Sequence, residues 1–459
     1  MAFHYGIKDT DGFETFVVLD LKSTGSEPEK DEMVEVAVLR VREGEIVDSF
    51  SSRLIINSNG KQFKKSPSDS LSKGNQSFGQ VSQQLQTFIG SSIVVGRDAS
   101  LSLEFFARRG LKLSSPAVNV QEIASILVPS VPENFDEIAQ SFGVRYSYSN
   151  SCLSNAKSVF MVFSALIEEG KRIHSFVLEE LLRIARKTEL SLRHLGPVLL
   201  SSGHGFTGSE KESQFIGGLD RQSLETKLKN ITPLGKPQNK LLPIPEKFLF
   251  ETFPPGGLLS LSVSGYESRP QQEEMFHSIA SAFYEGRNLI VEAGTGVGKS
   301  LAYLIPAAMF GLTNNVRILV STNTINLQQQ LLEKDLPLVQ KALDDFGFEN
   351  HASLRFSIQK GRANYLCFKR WTRLQSNPNI SQEDGRFLGK TLNWMQGECS
   401  GDKSDIYLDP AELAVWEKTS AQGNLDCPMF SGPCFLRASR ERAEGSHIVV
   451  VNHALLLSD

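Results

Sequence analysis

Apolar positions come in two rhythms along the chain. From residue 14 to 56 they form short runs split by polar turns: "FVVLDL", then "STGSEPEKDE", then "MVEVAVLRV", "EGE" and "IVDSFSSRLII". Val-rich and Ile-rich runs of this length predict sheet strands, with the first and most apolar one central. From 80 to 185 the spacing becomes helical, as in "SVFMVFSALIEEGKRIH" and "SFVLEELLRIARK", apart from one short buried strand at "SIVVG". Strands first, then mixed strand and helix, predict an α/β domain with a mixed sheet.

Residues 195 to 262 lose this rhythm. "LLSSGHGFTGSEKESQFIGGLDRQ" and "PLGKPQNKLLPIPEKFLFETFPPGG" are rich in Gly, Pro, Ser and charge, which predicts an interdomain linker with short helices. A second α/β pattern starts at Tyr266. A helix over 271–285 leads to a strand over 288–292, a Gly-rich turn and a helix. A strand at "VRILVST" and a long helix at "NTINLQQQLLEKDLPLVQKAL" follow. This order predicts βαβ units and a parallel sheet. The expected domains are therefore 12–188, a linker at 189–262, and 263–459.

At 459 residues the chain is long enough for two to four domains that each bury a core. The net charge of -4 carries no global nucleic-acid signature, so any DNA contact must come from local patches. Five cysteines in this length do not make a disulfide framework; reduced thiols or metal ligands are expected instead. "MAFHYGIKDTDGFETF" has neither a signal-peptide nor a transit-peptide character, and "VVVNHALLL" is too short for a membrane span. The expectation is an intracellular protein, with the compartment open.

The Gly-rich turn is Ala293-Gly294-Thr295-Gly296-Val297-Gly298-Lys299-Ser300. Strand, Gly-rich loop and helix are the setting a P-loop needs. Its backbone N–H groups would cradle phosphates, Lys299 would reach the β- and γ-phosphates, and Ser300 would bind Mg²⁺. The bland alternative is a turn that holds nothing.

"EAGTGVGKS" resembles motif I of superfamily 2 helicases. "YESRPQQ" resembles the adenine-reading segment that precedes it in helicases of the DinG and XPD type. The resemblance implies that Gln272 reads an adenine edge; otherwise Gln272 is a polar residue at a helix start. "LVSTNTINLQQQL" resembles motif Ia, implying that Thr322, Asn323 and Thr324 touch a DNA backbone. These residues equally suit an N-cap. "SHIVVVNHALLLSD" resembles the strand that runs toward the acidic box in such helicases. The region 263–459 is thus expected to be an incomplete N-terminal RecA-like helicase domain with an insertion at about 360–440. The implied function is an ATP-dependent DNA helicase, with single-stranded or forked DNA as partner. No acidic box can be located after motif I, so weak ATP binding and negligible turnover are expected of this chain alone. A non-catalytic binding remnant is the alternative from a different class.

Iron–sulfur helicases carry four cysteines in that insertion. "KGRANYLCFKR" resembles the first ligand segment, giving Cys367; "DCPMFSGPCFLRASRERA" resembles the last, giving Cys427 and Cys434. A [4Fe–4S] cluster needs a fourth thiolate. The family position holds Gln422, so Cys399 would have to substitute. The alternative is a set of reduced thiols. Lys360, Arg362, Lys369, Arg370 and Arg373 alternate with Tyr365, Phe368 and Trp371. That mixture suits single-stranded DNA, with Lys360 and Arg362 on phosphate and the rings under bases. It equally describes a helix with a solvated basic face and a buried aromatic face.

"FVVLDLKSTG" resembles the first motif of DnaQ-like (DEDD) exonucleases, which implies an RNase H-like fold for the front domain. Hydrolysis there uses several carboxylates holding two metal ions about 4 Å apart. Asp20 fills the first acidic position, but Lys22, Ser102 and Asn155 stand at the other three, and Asn150 at the base. The expectation is a fold that no longer supports hydrolysis, with Asp20 as its remnant acid and 3'-5' exonuclease activity as the lesser alternative.

Overall fold

The computed structural model describes residues 15–55, 76–148, 150–201, 215–216, 218–229, 232–348, 353–397, 399–423 and 432–458. It divides into two compact units. The first comprises residues 1–224 and 368–419, the second residues 225–367 and 420–459.

The first unit is built on a five-stranded mixed sheet. In chain order its elements are β1 (Thr15–Ser23), β2 (Met33–Arg42), β3 (Glu45–Arg53), α1 (Phe78–Ile89), β4 (Ile93–Gly96), α2 (Ala99–Arg108), β5 (Ala117–Asn119), α3 (Val120–Leu127), α4 (Phe135–Ser141), α5 (Cys152–Lys171) and α6 (Ser175–Lys187). The strand order is β3-β2-β1-β4-β5. β1 pairs antiparallel with β2 and parallel with β4. The apolar run of β1 is therefore buried on both faces, while β3 lies at an edge and is mostly exposed.

Alternation along β1 decides what each residue meets. Val17, Leu19 and Leu21 join Val81, Leu85 and Phe106 in one core. Phe16, Val18 and Asp20 point the other way, toward α5, where Phe16 meets Phe163 edge to face at 5.6 Å.

In the second unit two short helices, Glu246–Glu251 and Leu258–Ser262, precede α7 (Pro270–Glu285), which is followed by α8 (Lys299–Asn314), β6 (Ile318–Thr322), α9 (Ile325–Gln330), α10 (Leu336–Asp345) and β7 (Phe356–Ile358). The chain then contributes α11 (Phe368–Gln375), α12 (Gln382–Trp394) and α13 (Pro410–Thr419) to the first unit. It returns with α14 (Phe435–Glu444), β8 (Ile448–Asn452) and α15 (His453–Ser458). β8 is the centre of a parallel sheet of order β6-β8-β7, as its unbroken "IVVV" requires. Phe276, Leu304, Ile305, Leu331, Val339, Ile448 and Val450 close the core. The architecture is α/β throughout: a mixed sheet in front and a parallel, RecA-like sheet behind.

One expected strand is not formed. Residues 288–292 pair with no strand among the described residues, and Leu289, Ile290 and Val291 are 36%, 98% and 42% exposed. The apolar run is right for a strand, but a strand exists only through a partner's hydrogen bonds. No described strand is paired to the far edge of β6.

Candidate functional site

Gly296 and Gly298 shape the phosphate loop. Their φ angles are 83° and 82°, in the left-handed region that a side chain disfavours. Gly298 is also the N-cap of α8, and a Cβ there would run into the Gln272 amide. Two residues upstream hold the loop. Gln272 is buried, donates Nε2–H to the Gly298 carbonyl at 2.9 Å, and faces the Tyr266 hydroxyl at 3.4 Å. Arg269, just ahead of the Pro270 that opens α7, bonds the Gly296 carbonyl. In this geometry Gln272 braces the loop. Sequence reasoning missed Arg269, although it lies inside the same segment.

Lys299 stands at the first turn of α8 and donates Nζ–H to the Ala293 carbonyl at 3.0 Å. The ammonium thus spans the mouth of its own loop. Gly294, Thr295, Gly296 and Lys299 are exposed, and Val297, Gly298 and Ser300 half-buried. The loop can therefore take an anion on its open side, with Lys299 exchanging a carbonyl for a phosphate oxygen.

At the end of β6 the three expected DNA contacts separate. Thr322 is buried, and its hydroxyl donates to the Thr324 carbonyl at 3.2 Å. The Thr324 hydroxyl accepts from Leu327 N–H at 3.2 Å as the N-cap of α9. Asn323 alone of the three has an exposed side chain without such a bond. Beside them Ser321 Oγ lies 2.7 Å from His453 Nδ1, joining the ends of parallel neighbours β6 and β8. Neither was singled out from sequence, since they are 132 positions apart.

The basic and aromatic stretch has the buried-face arrangement. Tyr365, Phe368 and Trp371 are 2%, 9% and 0% exposed, so their rings are not platforms for bases. Trp371 Nε1–H donates to Thr391 Oγ1 at 2.7 Å, inside the first unit. Lys360 is buried, whereas Arg362, Lys369 and Arg373 are exposed.

Cys367 and Cys434 belong to the second unit and Cys399 to the first; Cys427 lies outside the described residues.

In the front unit Asp20 comes off β1 and meets the first turn of α5. It is 4% exposed and its Oδ2 has no hydrogen-bond partner among the described residues. Asn155, fully buried, lies near enough to favour the charged carboxylate, yet neither of its amide atoms makes a well-formed bond. Burial pushes the Asp20 carboxyl up; the charges of Arg97 and Lys22 pull it back only in part. Lys22 Nζ bonds the Asn150 carbonyl and lies 5.7 Å from the Tyr148 ring centroid. Ser102 spends its hydroxyl on the Asp98 carbonyl at 3.0 Å. Cys152 is a buried thiol whose pKa burial raises. Besides Asp20, a second buried carboxylate lies close by: Glu35 of β2 accepts the Cys152 N–H at 3.1 Å, while Lys22 and Asn155 stand at two of the positions where the resemblance places acids.

The raised Asp20 pKa fixes a pH dependence. The folded state holds this proton more tightly than the unfolded state, so its contribution is fully present below the unfolded value near 3.8 and lost as pH rises through the folded one. Asp20→Asn is therefore expected to melt higher than the parent at pH 7.5, with the gap closing toward pH 4. Melting curves across that range, with and without Mg²⁺, check this; a Mg²⁺-dependent gain in the parent alone would instead mark Asp20 as a metal ligand.

A family model described as DEAD/DEAH box helicase matches residues 269–348, the span from the Arg269 clamp to the end of α10. The protein described as 3'-5' exonuclease DinG from Bacillus subtilis is 24% identical over 97% of this chain and 48% of its own length. The ATP-dependent helicase DinG of Mycobacterium tuberculosis is 34% identical over 44% of the chain and 33% of its own length. The ATP-dependent DNA helicase YoaA of Haemophilus influenzae is 33% identical over 47% and 32%. The chain thus spans at most about half the length of these relatives. The helicase family model falls on the P-loop unit, and the chain is similar to DinG helicases over part of its length and, over 97% of it, to a DinG protein described as a 3'-5' exonuclease.

Proposed function

We propose that the second unit binds ATP with Mg²⁺ at the loop Ala293–Ser300 as part of a DNA helicase motor, and that the front unit performs no metal-dependent hydrolysis. The observation that carries the first half is the loop itself: two left-handed glycines, two upstream side chains on its carbonyls, and Lys299 at its mouth. Ser300 at the start of α8 would hold Mg²⁺, which neutralises phosphate charge when bound. DNA is the expected partner, as the names of the helicase relatives imply, with Asn323 and Arg362 as exposed contacts.

The competing reading takes its support from the Bacillus relative, whose name is that of a 3'-5' exonuclease. Against it stand Lys22 and Asn155 at positions where the hydrolytic chemistry needs carboxylates, since an ammonium repels the divalent cation and an amide holds it poorly. One preparation tests both halves. A fluorescent ATP analogue should bind and be displaced by ATP, while a 3'-labelled single strand with Mg²⁺ or Mn²⁺ should stay intact. Metal-dependent release of 3'-nucleotides that Asp20→Asn abolishes would restore the exonuclease reading.

A further inference from the structure

We propose that the α3–α6 face of the exonuclease-fold unit is an interaction surface whose partner is the segment Phe368–Thr419, and that holding this segment is a task of the front domain. The segment interrupts the second unit. The chain leaves it after Cys367 and re-enters at Ser420, and the two crossings are pinned by the Leu366–Ser420 bridge and an Ala421 N–H to Tyr365 O bond of 2.8 Å. Between the crossings, the segment packs as part of the first unit.

The fit is specific on two adjoining faces of α12. On one, Gly385, Gly389 and Asn393 recur every fourth residue and so form one stripe. A Cβ at Gly389 would lie 3.4 Å from the Ile126 methyl and 3.6 Å from Leu181, and a Cβ at Gly385 would run into Thr188. The two glycines therefore let α12 approach closer than any side chain would. One turn on, Asn393 Nδ2 donates to the Ile126 and Leu127 carbonyls at 3.0 and 2.9 Å. Those carbonyls end α3 and have no partner within that helix.

On the adjoining face Lys390, 1% exposed, reaches Glu133 of the α3–α4 loop at 2.9 Å and Glu412 of α13 at 2.6 Å. At the rim Gln375 donates to Glu180 on α6 at 2.6 Å, and Tyr407 N–H bonds the Pro129 carbonyl at 3.0 Å. An accidental contact of a long insertion would not place a helix-end acceptor pair, two glycines and a buried ammonium in register. The proposal does not depend on whether the front unit hydrolyses anything.

Hydrogen exchange of the full chain, followed by mass spectrometry of its peptides, tests the assignment. Leu is a better helix former than Gly, so Gly389→Leu should tighten an isolated α12. If the front unit holds the segment, the same change undocks it. Amides of 382–394 are then expected to exchange at least tenfold faster, together with those of α3 and α6, while β6, β8 and binding of a fluorescent ATP analogue stay at parental values. Asn393→Ala, which removes no bulk conflict, should give a smaller acceleration confined to α12 and the end of α3, and serves if Gly389→Leu yields no soluble chain. Unchanged exchange over 382–394 in whichever variant is soluble would overturn the proposal. So would acceleration shared equally by β6 and β8, because the segment would then belong to the fold of the second unit.

Discussion

Lys299→Ala weakens ATP binding by roughly 100-fold, the consequence of removing about 3 kcal/mol of charge-assisted contact to the terminal phosphates. The figure assumes that the ammonium is well placed before the nucleotide arrives. The Nζ–H to Ala293 O bond supports this, because it keeps the side chain folded over the loop instead of free in solvent. The bond also sets a ceiling, since binding must break it. Lys299→Arg keeps charge but has a bulkier planar head, and should recover only part of the loss. Titration of a fluorescent ATP analogue into the parent and both variants measures the effect. Equal affinity in parent and Lys299→Ala would remove the nucleotide from this loop. The clamp predicts a milder companion: Arg269 and Gln272 hold carbonyls, not phosphates, so truncating either should loosen binding less than losing Lys299.

Much of this site was legible in the sequence because its determinants are local. The P-loop is eight consecutive residues, and the spacing of Gly294, Gly296, Gly298 and Lys299 states its geometry before any fold is known. β1 was legible for a similar reason, as an apolar run too short for a helix and too rich in Val for a loop. The strand expected over 288–292 failed because pairing is not local: the pattern shows what can pair, not whether a partner lies alongside. The aromatic and basic stretch offered two readings that pattern alone could not separate, and the complete burial of Trp371 decides for the core. The docking of α12 was not legible at all. "GRFLGKTLNW" reads as an ordinary amphipathic helix, and one of the two carboxylates that meet Lys390, Glu133, lies 257 positions away.

That long-range ammonium gives the second large effect. Lys390→Ala is expected to destabilise the first unit by about 3–5 kcal/mol, because it strands carboxylates that have already lost their water. Glu412 is fully buried, and burial pushes its carboxyl up even with Lys390 at 2.6 Å. Its other oxygen lies 3.3 Å from Arg386 Nε but outside hydrogen-bond geometry, so charge alone holds that contact. Arg386 is also engaged by Asp409 and cannot turn fully toward Glu412. With the ammonium gone, Glu412 must take up a proton or admit water, and both act against the packed helices. Neutralising both partners removes the conflict: Lys390→Met with Glu412→Gln keeps the volume and leaves an acceptor for the Asp409 N–H, now 3.1 Å from Glu412. The double variant should therefore lose less stability than Lys390→Ala, although it deletes both charges of the shorter ion pair. Urea denaturation monitored on peptides of α12 and α13 measures the order. A double variant at least as damaged as the single would mean that the pair contributes net attraction and that desolvation is not the governing cost.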